Sequence, residues 1–520
     1  MKTKRFILSV TILIFVLLPF CIKIFWSAAD DPRYIFMTSG AYTGTHSGSL
    51  LYVGSIYGNF VGWLYQLFPV LEWYSVIYYL LFTVSVFLLS KAILNSTLSR
   101  EIKCSVYVIL FITHLYMAIS PQSTFLASDL SISTMVLIRG KRSHAKFLLS
   151  FCLFFIATQM RLFGALMPYM IAMPIFMLSK NITIGNVKRY VMPFAVFFVL
   201  SCTSFLSDYL KYHSTSEWTQ FKKFDAARCY ITDNPLSGEL IDGIHNPKDK
   251  LAYMLFQKYR IYDTNVLPVE KMVHYADMMK TYRLKNIQNN IVPYARFYLS
   301  FGFLAVFILI MWGGGSFIYE KKYKHMLLMM GGFLLFVLAN LFMMAQSEPK
   351  ERALIGALFS LLFAVLIIIG QNIRYSRICY IVLALGISWS FAKQIKANIM
   401  FVPSKVAYLN ETESVLDKVS FNKIYMPVPS CIDPDIFHSS NSPIAKKTII
   451  QGWMQIFPES NPRYRHLTTF VYGLPILVRK DAVEQISWIQ RLLLLHYGIE
   501  TESKTLLTTD HYKLIELKKN

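Results

Sequence analysis

Apolar runs long enough to cross a bilayer, separated by short clusters of lysine and arginine, constrain this chain more than any other feature. The first run, Phe6 to Trp26, follows Lys2, Lys4 and Arg5. A helix of about 20 apolar residues spans the hydrocarbon core, and in lipid each backbone polar group must be satisfied inside the protein. With 55% of its 520 residues hydrophobic, only 16% charged and a mean hydropathy of +0.43, the chain cannot hide its apolar side chains in a water-soluble globule. It reads as an all-α polytopic membrane bundle. A formal charge of +22 on a soluble protein would point to nucleic acid. Here the basic residues sit between apolar runs, where they orient helices, so membrane lipids are expected partners and nucleic acid is not.

The further runs are Tyr74 to Leu94, Tyr107 to Ile119, Phe125 to Ile138, Phe147 to Thr158, Gly164 to Leu178 and Tyr190 to Leu206. After a polar stretch come Phe297 to Tyr319, Met326 to Ala345, Ala353 to Ile369 and Ile378 to Ile395. Read as about eleven crossings from a cytoplasmic start, they gather Lys91, Arg100, Lys103, Arg139, Lys141, Arg142, Lys146, Lys180, Lys188 and Arg189 on the inside, with Lys321, Lys322, Lys324, Arg374 and Arg377. The short outside connections keep only Arg33, Arg161, Lys350 and Arg352. The amino terminus is then inside and the carboxyl-terminal tail outside, in a multi-pass protein of the cytoplasmic membrane. Leu50 to Phe68 is also apolar, but counting it as a crossing would put every later basic cluster outside. With Gly54, Gly58, Asn59 and Gly62 it is expected to lie along the outer interface, with Trp63, Tyr65, Trp73 and Tyr74 at headgroup depth. Ser27-Ala28-Ala29 after a basic start resembles a signal-peptide end, yet the apolar stretch is long for one and suits a retained anchor.

These spans divide the chain into a membrane domain, residues 1–397 with an outer loop at 207–293, and a small extracytoplasmic α/β domain at 398–520. In the tail, Lys423 to Val428, Thr448 to Phe457 and His511 to Leu517 read as strands, and Asp481 to His496 as an amphipathic helix. Seven cysteines form no CxxC and no metal spacing; Cys229 and Cys431, both outside, could pair there. There is no phosphate-binding glycine loop.

Asp30 and Asp31, directly after the first run, suggest chemistry rather than architecture. Asp31 before Pro32 can be an N-cap acid with proline at the first helical position. Neighbouring side chains diverge by about 100° on a helix, which leaves Asp30 as the leading general base for transfer onto a hydroxyl. A transfer outside the membrane has no nucleotide sugar, so its donor is expected to be a lipid-linked phosphate sugar. Its phosphate calls for cations: Arg161 in Gln159-Met-Arg161-Leu-Phe, and Lys350 and Arg352 in Ser347-Glu348-Pro349-Lys350-Glu351-Arg352. These run against the orientation rule, and arginine's fork matches phosphate oxygens. Each can instead snorkel to lipid headgroups. Carboxylates also suit Mg²⁺ or Mn²⁺, although one adjacent pair is little to hold an ion.

Ser27-Ala-Ala-Asp30-Asp31, Ser39-Gly-Ala-Tyr-Thr-Gly44, Leu64-Tyr-Gln-Leu-Phe-Pro69 and Trp73-Tyr74 together resemble a group of bacterial GT-C-type membrane glycosyltransferases. The likeness continues at Gln159 to Phe163, at Trp218 with Phe221, Arg228 and Asp233, and at Glu351-Arg352. It implies a GT-C architecture in which an acid of the first outer loop, Asp30 or Asp31, is the base. It also implies a polyprenyl-phosphate-linked sugar as donor, contacted by Arg161 and Arg352, and a cell-surface glycan or lipid-linked precursor as acceptor. The chain departs from the pattern at Pro32-Arg33, where an aromatic is expected straight after the acids. Two other functions fit the sequence. An O-antigen or capsule polymerase would place catalytic weight on outer-loop arginines, and a flippase or transporter would place charges mid-membrane, where these spans read as almost free of ionisable groups.

Overall fold

The computed structural model describes residues 2–96, 98–139, 143–172, 184–234, 238–347, 349–369, 377–427, 433–450, 454 and 456–520. The chain is mostly helical, with a small carboxyl-terminal sheet. Among the described residues, five helices are long and apolar enough to cross a membrane: α1 (Lys2–Cys21), α4 (Trp73–Asn95), α5 (Arg100–Ile119), the 192–212 part of α9 (Ile184–Tyr212) and α15 (Tyr323–Met344). Their large side chains face outward, as with Phe20 (74% exposed) on α1 and Phe198 (64%) on α9. An apolar surface of that extent needs lipid against it, and the protein is a membrane protein. Shorter apolar helices pack among the five: α6 (Ser123–Arg139), α7 (His144–Met160), α8 (Leu162–Ile171), α14 (Phe303–Tyr319) and α16 (Glu351–Ile369).

Several segments differ from their sequence reading. The run Phe297 to Tyr319 is two helices, α13 (Arg283–Ser300) and α14, because Gly302 turns the chain at φ +81°. The last apolar run does not stop near Ile395. It is the start of α17 (Arg377–Lys418), a 42-residue helix about 63 Å long, so the sheet begins only at Ile424, well past the expected boundary at 398. The interfacial helix is α3 (Ser55–Leu67), whose 13 residues reach about 20 Å, short of a bilayer core. Trp63 is exposed on it, but Tyr65 and Tyr74 are buried in the protein rather than set at headgroup depth. The spans are also less free of charge than they read: His114 Nε2 lies 3.0 Å from Asp129 Oδ1, both buried between α5 and α6. The Ser85–Ser133 hydroxyl pair (2.7 Å) belongs to the same polar interior, the kind of interhelical bonding that joins helices in lipid.

The polar loop is helical, with α10 (Ser216–Thr232), α11 (Pro247–Tyr259) and α12 (Val269–Lys280). The tail sheet runs β2 (Thr448–Ile450), β1 (Ile424–Met426), β3 (Ile476–Arg479), β5 (Tyr512–Lys519), β4 (Thr501–Thr508). β1 pairs parallel with β2 and β3, and β5 pairs antiparallel with β3 and β4. Helix α18 (Glu484–Tyr497) buries Ile486, Ile489 and Leu493. Strands β3 and β4 carry weak alternation and were not legible in the sequence. The tail is seated on the bundle: Ser440 donates its N–H and hydroxyl to Glu72 Oε1 (2.7 and 2.6 Å), Ser75 donates to the Ile436 carbonyl, and Phe437 stacks on Phe20.

Candidate active site

Helix α2 (Asp30–Thr38) starts at Asp30, two residues before the expected start at Pro32, with Pro32 still in the first turn, where a missing N–H is tolerated. Asp31 is therefore no N-cap. Its carboxylate is fully buried and accepts from Tyr74 Oη (2.8 Å) and, at 3.4 Å, from the Ser123 N–H. Burial pushes its pKa up to about 6, against the lowering effect of the Tyr74 bond and the Arg161 charge.

Asp30 points the other way. Its oxygens lie 3.9 Å from Arg33 Nη1 and 3.8 Å from Arg161 Nη2, with 16% of its side chain exposed. Arg161 is a single extended residue (φ −163°, ψ 97°) between α7 and α8, and that break turns its side chain out of both helices. Its guanidinium donates to Tyr34 Oη at 3.0 Å and sits 4.7 Å from the centre of the Tyr52 ring. Tyr34, the second residue after Pro32, is fully buried.

Tyr52 extends the cluster to α10. It donates to Asp225 Oδ2 (3.0 Å) and accepts from Arg228 Nη2 (2.8 Å), while Arg228 also grips Asp225 Oδ1 through Nε and Nη2. Tyr52 holds φ +81°, a left-handed conformation that costs a non-glycine residue of order 1–3 kcal/mol and persists only where its surroundings fix it. Glycines permit the approach: a Cβ on Gly54 would stand 2.2 Å from Gln159 Oε1, and one on Gly58 would stand 2.2 Å from the Gly48 carbonyl. The thiol of Cys229 lies 2.9 Å from Tyr52 Oη and is raised to about 11, first by burial. The Cys431 half of the proposed disulfide lies outside the described residues.

Arg161 thus joins Asp30. Lys350 does not; it pairs with Asp233 at 3.1 Å, eight residues along from Asp225 and so about 12 Å away at helical rise. The side chain of Arg352 lies outside the described residues. Arg33 and Tyr34 carry no local mark of a site, since a basic and an aromatic residue just outside a membrane helix read as ordinary interfacial anchors. Tyr52 was missed because nothing local marks a tyrosine in a Gly-rich loop. Asp433, from the tail, also reaches the site, its charge felt by Arg33, Lys405 and Asp30; burial holds its carboxyl above the usual range. Among the described residues no three His, Cys, Asp or Glu side chains converge as metal ligands, and the divergence of Asp30 from Asp31 gives no chelating face for Mg²⁺ or Mn²⁺. The cluster can hold an anion between Arg33 and Arg161 beside a partly accessible carboxylate. No family model matches the chain, and no curated protein or solved structure matches it.

Proposed function

We propose that the chain is a glycosyltransferase of GT-C type in the cytoplasmic membrane, with about eleven crossings, amino terminus inside and tail outside. It moves a sugar from a polyprenyl-phosphate-linked donor to a cell-surface glycan or lipid-linked precursor on the outer face. The observation that carries this reading is one carboxylate, Asp30, placed between two guanidiniums at 3.8 and 3.9 Å. Asp30 takes the acceptor hydroxyl proton as the new bond to the anomeric carbon forms. The bond from that carbon to the phosphate oxygen breaks, and its electron pair leaves with the polyprenyl phosphate, whose charge Arg161 and Arg33 meet. Arg161 and Arg33 stand 3.8 and 3.9 Å from Asp30, so both guanidiniums meet a phosphate held beside it. Asp31, buried and bound by Tyr74 and Ser123, positions α2 rather than touching substrate.

The test is to replace Asp30 and Asp31 separately with Asn, verify membrane levels and compare surface glycan composition. Loss of a glycan component in Asp30→Asn is expected, and unchanged glycan in both variants ends the base assignment. A flippase or transporter is the second reading, favoured by the buried His114–Asp129 pair between α5 and α6. It requires Asp129→Asn to abolish function while Asp30→Asn leaves it intact. An O-antigen or capsule polymerase would lose activity on Arg161 and Arg228 replacement but not on Asp30 replacement.

A further inference from the structure

A cavity of about 520 Å³ lies beside the site, between the connection after α1, the end of α5 and the middle of α17. Three helices fix its depth. It begins where α1 and α5 finish, at Ile22 and Ile119, and it meets α17 at Asn398, about 32 Å along the helix from Arg377. That is one hydrocarbon thickness, so the cavity sits at the membrane boundary. Its wall is apolar through Ile22, Phe25, Ile119, Ile399 and Val402, and it continues onto lipid-facing surface at Phe20, Met400 and Phe401 (74%, 67% and 63% exposed). Two ammonium groups, Lys23 and Lys405, line the same space, with Ser27 and Asn398 as neutral polar groups. Ser27 is three residues before Asp30 in the chain.

The arrangement is that of a lipid tail site with a doubly cationic head. A lipid phosphate monoester carries roughly −1.5 to −2 charges at neutral pH, whereas a phosphodiester, including a sugar-linked donor and the common glycerophospholipids, carries one. We propose that this cavity receives the polyprenyl monophosphate released by transfer, with Lys23 and Lys405 selecting the dianionic product over the monoanionic donor. The inference takes its product from the transferase reading, while the binding site itself stands on the cavity and its charges. Asp433 stands in the field of both Lys405 and Arg33, which relates the cavity's lysine to the arginine of the site. Lys405 stands 5.5 Å from the Phe25 ring centre, which sets its ammonium beside the apolar wall of the cavity.

The full chain in nanodiscs of a zwitterionic lipid would be titrated with polyprenyl monophosphate and followed by native mass spectrometry. One monophosphate is expected to bind, with phosphatidylglycerol, the unphosphorylated polyprenol and inorganic phosphate each at least about tenfold weaker. Lys23→Ala with Lys405→Ala is expected to weaken the monophosphate by about tenfold or more per lysine, and the double arginine variant to restore it. Unchanged affinity in the double alanine variant overturns the proposal, as does equal competition by phosphatidylglycerol, which would mark an ordinary headgroup contact. Asp30→Asn separates the two readings: retained monophosphate binding with unchanged surface glycan would remove the transferase and leave the lipid site standing.

Discussion

Tyr74→Phe isolates one bond to a buried charge. Tyr74 Oη is 2.8 Å from Asp31 Oδ1, a shorter contact than the 3.4 Å one from the Ser123 N–H. A hydrogen bond to a charged group contributes about 1.5–3 kcal/mol, and one pKa unit corresponds to about 1.4 kcal/mol. Removing the hydroxyl should therefore raise Asp31 from about 6 to between about 7 and 8. The sign for stability follows. The folded state holds this proton more tightly than the unfolded chain, so its contribution is complete below the unfolded value near 4 and is lost as pH rises through the folded value. Wild type should lose of order 3 kcal/mol between about pH 4 and 6, and the variant should keep losing stability up to about pH 8. Infrared titration of the protonated carboxyl band in bilayers, with Asp31→Asn to assign the band, reads the midpoint directly. A midpoint unchanged or lowered in Tyr74→Phe would refute both the burial argument and the role given to this bond.

Arg161→Lys keeps the charge but loses the fork on Tyr34 and the planar contact with Tyr52; surface glycan transfer should fall about tenfold or more at normal membrane levels. Lys350→Ala removes only a one-third-exposed pair with Asp233, so it should cost under about 1 kcal/mol and leave glycan composition unchanged. Gly54→Ala must push the 50–54 loop off Gln159. Its melting midpoint should drop by the equivalent of about 1–3 kcal/mol, whereas Gly331→Ala, which meets no atom within 4 Å, should not destabilise. Glu72→Ala strands the Ser440 N–H and hydroxyl and Tyr65 Oη. Limited proteolysis within 433–442 should quicken while the helices stay protected, and an unchanged cleavage rate would show that the tail is held elsewhere.

Segment hydropathy gave the membrane class and most helices, because lipid imposes its demand on each segment separately. Breaks that depend on one backbone torsion were harder to read. Gly302 splits an unbroken apolar run at φ +81°, and Pro403 lies inside α17 without ending it. Strand β3, four residues long, is too short to show a period.

Two acids after a membrane helix were visible as a candidate pair, and Arg161 as a cation in the wrong place for orientation alone. The sequence by itself determined that this is a helical membrane protein with those charges at one end of its spans, since the cost of burying polar groups in lipid acts locally along the chain. Only the tertiary structure decided that Asp30 faces Arg33 and Arg161 while Asp31 turns to Tyr74, that Tyr52 and Arg228 join the cluster, and that Lys350 goes to Asp233. Apart from Asp30 and Arg33, one turn apart on α2, those partners lie tens to hundreds of residues apart, and a charge or hydrogen bond acts over a few ångströms of space, wherever packing brings the groups together.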